Sequence, residues 1–437
     1  MAYRLTATQA LSNIRGGSLT VEQYARSLLS RIEERDSTVQ AWEYFDSEYV
    51  IEEAKRLDRI SSTERGPLHG LPIAVKDIIY TKGMPTQYNS PIYHGDAPNI
   101  DAASIVILRQ AGALILGKTT TTEFAGTNGS PKTRNPHDPT RTPGGSSSGS
   151  AAAVGDFQAP IALGSQTGGS TIRPGSFNGI YALKPTWNAI SREGQKFYSL
   201  TLDTIGFFAR GVEDLELMAD LFGLEDDDAP SADFTVKGAK FAVAKTVVWP
   251  QAGPGTQSAL DTAVQLLRRH GAEVEEIELP PEFDQLPEWH RILMDSEGGV
   301  TFLPEYRLAK EKLSPFLAGH VENVNGISRA ALLEAYDGIA ALRPKIDGIA
   351  KKYAAILTPS VIDEAPVGIE STGSPAFNVS WTALHTPVVN IPGFRGANDM
   401  PIGVSLVAPR YHDRHLLAVS KVVGAVFEAE GGWKRKI

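Results

Sequence analysis

From about residue 70 onward the chain alternates short strand-like runs with segments of helical periodicity, and that alternation restricts its fold more than any other feature. The strand-like runs are 71–75, 113–116, 160–163, 241–244, 273–277, 354–357, 387–391 and 401–407. Between them, Asp101 reads as the cap of a helix that runs to Arg109 and stops at Gly112. Further helices are expected over 151–154, over 258–270 with Gly271 as the stop, and over 412–428. The first 60 residues read as helical: Thr20 and Gln23 form a capping box, and Val21, Tyr24, Ala25, Leu28, Leu29 and Ile32 recur at helical spacing. Strands alternating with helices predict an α/β fold, a single large mixed β-sheet covered by helices on both faces. No repeat or linker divides the chain, so one domain over 1–437 is expected. It would comprise a helical part over 1–65, a catalytic core over 66–240 and a C-terminal αβ part over 241–437. Residues 280–350 within the last part are helical but carry no motif.

Composition narrows the chemistry. The absence of cysteine removes disulfides, thiolate nucleophiles and Cys-ligated metals, so covalent catalysis would have to use Ser, Thr, Lys or a carboxylate. A formal net charge of −9 argues against nucleic acid as a partner. No apolar run is long enough to span a bilayer, and the N-terminus lacks a basic-then-apolar signal pattern. A cytoplasmic protein without a membrane partner is expected.

Three segments could carry chemistry. Segment 70–77 reads Gly-Leu-Pro-Ile-Ala-Val-Lys76-Asp77, and a lysine at the end of an apolar strand tends to be buried. Burial disfavours the ammonium and makes a neutral base available. The ordinary alternative is a strand-end lysine paired with Asp77. Segment 142–150 reads Thr-Pro-Gly-Gly-Ser146-Ser147-Ser148-Gly-Ser150, inside a stretch rich in Gly, Ser, Thr and Pro that spans 127–169. Gly145 to Gly149 fits G-x-S-x-G, which would make Ser147 a nucleophile. That motif needs a strand directly before it, and Arg-Thr-Pro-Gly is a poor strand. Segment 166–174 reads Gln166-Thr167-Gly168-Gly169-Ser170-Thr-Ile-Arg173-Pro174, directly after a strand. A Gly-Gly turn there can aim several backbone N–H groups at one point, as an oxyanion hole requires.

Together, in this order, the three segments resemble the amidase signature family. The resemblance extends through Asn135-Pro136, the Ala-Leu-Lys-Pro-Thr string ending at Thr186, and the 401–409 segment. It implies a Ser–cis-Ser–Lys triad, with Ser170 as nucleophile, Ser146 as the serine after a cis peptide and Lys76 as base. It also implies oxyanion donors at Thr167, Gly168, Gly169 and Ser170, no metal and no cofactor. The implied reaction is hydrolysis of a linear amide. The alternatives are carbamate or ester hydrolysis with the same triad, and a component of an amidotransferase that works with a partner chain. A small-molecule amide or carbamate is the expected partner, and a homodimer is compatible with the reading.

The chain departs from the family's usual pattern at three places. Gln166 stands where many relatives have Asp, and Arg173 lies three residues after the nucleophile rather than two. This pattern is similar to a malonamidase-type subgroup, in which an arginine grips a substrate carboxylate. Arg173 would then bind substrate or brace its turn, and the tight turn at Arg173-Pro174 favours bracing. Asn89-Ser90 replaces a common Gly-Ser, and that loop is expected to border the pocket.

Overall fold

The computed structural model describes residues 1–126, 131–228 and 233–437. The first residues of the Gly/Ser-rich stretch, 127–130, lie outside it. The strands are β1 (Trp42–Phe45), β2 (Pro72–Lys76), β3 (Leu114–Thr119), β4 (Ile161–Gln166), β5 (Tyr181–Lys184), β6 (Thr204–Ala209), β7 (Lys240–Ala244), β8 (Glu273–Ile277), β9 (Ala355–Pro359), β10 (Val388–Arg395) and β11 (Pro401–Val407). They form one sheet in the order β1-β3-β2-β4-β6-β5-β10-β11-β9-β7-β8. Pairs β2–β3, β2–β4, β7–β8 and β7–β9 are parallel, and the others are antiparallel.

The first helices are α1 (Ala7–Arg15), α2 (Val21–Val39), α3 (Ser47–Asp58), α4 (Ala103–Gln110), α5 (Ser148–Gly155), α6 (Ile172–Phe177) and α7 (Val212–Leu221). The later ones are α8 (Pro254–Arg269), α9 (Leu286–Thr301), α10 (Leu303–Ala309), α11 (Pro315–Val321), α12 (Arg329–Ala350), α13 (Ala376–Ala383) and α14 (Asp413–Glu430). The period of two along each strand sorts side chains to opposite faces. Ala74, Leu114, Leu116, Ala162, Ala182 and Phe208 pack with α2, α3 and α5. Their neighbours Ile73, Val75, Ile115, Leu163, Leu183 and Phe207 pack with α4, α7, α8 and α14. The sheet is therefore covered on both faces.

The capping box at Thr20 is present with both of its hydrogen bonds. Asp101, by contrast, does not cap α4. The helix starts after Ala102, while the Asp101 carboxylate accepts from Lys82 N–H at 2.7 Å and pairs with Arg109. The carboxylate ties a loop to the helix flank instead. The helical reading of the first 60 residues also misses β1. Two strands inside the core, β5 and β6, escape the sequence reading as well.

Parallel neighbours β2 and β4 end side by side, so their C-terminal ends release Lys76 and the 166–170 turn toward one another. Crevices outside the carboxyl ends of parallel strands are the usual place for ligands in open α/β sheets.

Candidate active site

Lys76 is completely buried, and its Nζ donates to Ser146 Oγ at 2.7 Å and to Ser165 Oγ at 2.8 Å. Burial pushes its ammonium down to about 7, against the opposing pull of the Asp203 carboxylate. The neighbouring Asp77 is turned away and pairs with Lys118 at 3.2 Å, so it does not hold Lys76 as an ion pair. The Gly145–Ser146 peptide is cis, as the family pattern implies. Ser148 Oγ donates to Gly144 O at 2.7 Å, and Arg173 Nη2 donates to Gly145 O at 2.7 Å, which pins the loop on both sides of that bond.

The turn after β4 is held from its flanks. Gln166 Oε1 accepts from the N–H groups of Thr171 and Ile172, and Gln166 Nε2 donates to Thr382 Oγ1. Gln166 thus organises the start of α6 as a neutral group. The N–H groups of Gly168, Gly169 and Ser170 have no protein partner among the described residues. That is the arrangement an incoming oxyanion needs. Thr167, Gly168, Gly169 and Ser170 line a cavity of about 180 Å³. Ser170 Oγ makes no side-chain hydrogen bond among the described residues, so its expected contact with Ser146 is not formed in this structure.

Ser147 is excluded from this cavity. Its Oγ donates to Ser165 O and accepts from Ser165 N–H, both at 3.2 Å. It joins the loop to β4 and has no exposed surface. The Asn89-Ser90 loop does not line the cavity either, and Ser90 Oγ accepts from Ile92 N–H in a local turn.

Arg173 divides its guanidinium. Besides Gly145 O, its Nη2 reaches Thr372 Oγ1 at 3.2 Å, which is the bracing role. Its Nε and Nη1 have no hydrogen-bond partner among the described residues, although the residue is almost wholly buried and lines the cavity. Unpaired buried N–H groups of this kind are uncommon and call for a partner.

Two features of the site carried no sequence signal. Ser165 meets Lys76 only because β2 and β4 pair. The opposite wall comes from α9, in the stretch without a motif: Pro287, His290, Arg291 and Met294 line the cavity, and His290 Nε2 lies 2.8 Å from Thr167 O.

A family model described as Amidase matches residues 23–417. The chain belongs to the amidase family. It is 30% identical to the A component of the glutamyl-tRNA(Gln) amidotransferase of Carboxydothermus hydrogenoformans over 96% of both chains. The same component from Symbiobacterium thermophilum is 41% identical over 60% of this chain and 58% of that protein, so the chain spans little more than half of that relative. Among solved structures, the peptide amidase of Stenotrophomonas maltophilia superposes with a TM-score of 0.81 at 25% identity, covering 99% of each chain. The mixed sheet with helices on both faces is accordingly the amidase fold.

Proposed function

We propose that this amidase-family enzyme hydrolyses a linear amide through a Ser170 acyl-enzyme. The observation that carries the reading is the buried Lys76 amine bonded to Ser146 beside a turn whose N–H groups have no partner among the described residues. A hydrogen bond from Ser170 Oγ to Ser146 Oγ would complete the relay. Neutral Lys76 takes the Ser146 proton as Ser146 takes the Ser170 proton. The Ser170 Oγ–carbon bond forms, and the carbonyl π electrons move onto oxygen, opposite the N–H groups of 167–170. On collapse the C–N bond breaks, and the Lys76 proton returns through Ser146 to the leaving nitrogen. Water then repeats the sequence on the ester.

The substrate favoured by the cavity is a short amide with a carboxylate on its acyl side. About 180 Å³ leaves little room, and the unpaired Nε and Nη1 of Arg173 suit a carboxylate. This agrees with the malonamidase-type pattern at Gln166 and Arg173. A second reading is an amidotransferase component that releases ammonia from glutamine for a partner chain, favoured by the full-length similarity to such a component.

The test is hydrolysis by wild type and Ser170→Ala across short aliphatic amides, dicarboxylic monoamides, aryl anilides, carbamates and glutamine. Preference for a monoamide with turnover lost in Ser170→Ala is expected. Glutamine turnover alone would favour the second reading, and full activity in Ser170→Ala would refute the nucleophile.

A further inference from the structure

Asp203 belongs to none of the three segments, yet it touches two walls of the site. It precedes β6 and is buried, with 2% of its surface exposed. One carboxylate oxygen, Oδ1, accepts the Thr167 hydroxyl at 2.5 Å, and the other accepts the Tyr198 N–H at 2.7 Å. Thr167 opens the turn that presents the free N–H groups, and Tyr198 lines the same cavity. Thr167 is gripped a second time through its carbonyl by His290. The residue that begins the turn is therefore fixed at both its side chain and its backbone.

A buried carboxylate needs strong partners. Asp203 forms no ion pair within salt-bridge distance among the described residues, and its two oxygens instead accept from Thr167 and Tyr198. Arg192 approaches from the neighbouring loop, but its Nη1 donates to the Asp203 backbone carbonyl at 2.7 Å rather than to the carboxylate. Asp203 is also the charged group that acts on Lys76. The other nearby acid, Asp77, is engaged with Lys118.

We infer that Asp203 is a positioning residue of the amidase site, holding through Thr167 the turn that would receive the oxyanion. This rests on the catalytic reading given above. Burial pushes Asp203 up to about 6, against the opposing pull of its bonds from Thr167 and Tyr198.

The experiment compares wild type, T167S, T167V, D203N and S170A on an uncharged aliphatic amide. It records kcat, KM, the pH profile and the melting curve. T167V should lower kcat about tenfold with KM nearly unchanged and the acid limb in place, and T167S should recover most of the rate. D203N should likewise lower kcat with KM nearly unchanged, a split that a general loss of folding would not give. Wild-type kcat in T167V overturns the inference, as does a folded D203N with wild-type kcat. If D203N does not fold, the contrast between T167V and T167S decides, and equal rates overturn the inference. Turnover in S170A would instead defeat the catalytic reading itself, so the two failures are distinguishable.

Discussion

Lys76 Nζ sits 2.7 Å from Ser146 Oγ, joining the end of β2 to a loop 70 residues further along the chain. Because Lys76 is buried, its ammonium ionises at about 7 instead of in the ordinary lysine range. With the neutral amine as the proposed base, kcat/KM should rise with pH through that region and then level off. Initial rates on an uncharged amide from about pH 5 to about pH 9 check this. Lys76→Arg, which stays protonated throughout, should be inactive at every pH.

Ser147 and Ser165 should respond oppositely to alanine. Ser147→Ala strips both hydrogen bonds from the Ser165 backbone and should cost about 1–2 kcal/mol of stability while sparing most turnover. Ser165→Ala removes the second acceptor of Lys76 and should lower kcat roughly tenfold with a small change in melting temperature. Steady-state kinetics and thermal unfolding on the two variants separate the effects.

Adjacent glycines in the oxyanion turn should differ as sharply. A Cβ on Gly169 would stand 2.3 Å from Asn378 Oδ1, whereas one on Gly168 meets nothing nearer than 3.6 Å. Gly169→Ala must displace either the turn or the Asn378 amide that packs on it, and should reduce kcat about 100-fold. Gly168→Ala should stay within a few-fold of wild type. Similar rates for the two variants would show that the turn yields easily.

Arg173→Lys keeps a charge and loses the planar fork. Weakening the contacts to Gly145 O and Thr372 should reduce turnover of every substrate and lower the melting temperature. If Nε and Nη1 bind a carboxylate, KM for a dicarboxylic monoamide should rise about tenfold more than for an uncharged amide. An equal rise for both classes would leave only the bracing role.

The parts legible in the sequence are those written in consecutive residues. Lys76 ends an apolar run, the Gly-Gly turn follows a strand, and Ser146 lies in a glycine-rich loop, so order and spacing marked the three places. Strand β11 falls on 401–407 as expected, because a short run dominated by Ile, Val and Leu has few other fates. Contacts made by the sheet were not legible. Ser165 resembles any strand serine until β2 and β4 pair, and Asp203 any loop aspartate until Thr167 folds back onto it. Strand β1 was hidden because its four residues lie between α2 and α3, too few to show a period against two strong helical signals. Asp101 failed as a cap because an aspartate before a helix has other uses, here Lys82 and Arg109. The Arg173 alternatives were posed as exclusive, although one guanidinium has enough N–H groups to brace a loop and still present others.

Helix α9 supplies much of the cavity wall, yet none of the three serines or the lysine at the reacting centre. Those come from the ends of β2 and β4 and from the loops that follow or precede α5 and α6. The hydrogen bond from His290 to Thr167 links the two parts. Substitutions along α9 can therefore reshape the cavity while Lys76, Ser146, Ser165 and Ser170 stay where the sheet puts them, provided His290 keeps its hold on Thr167.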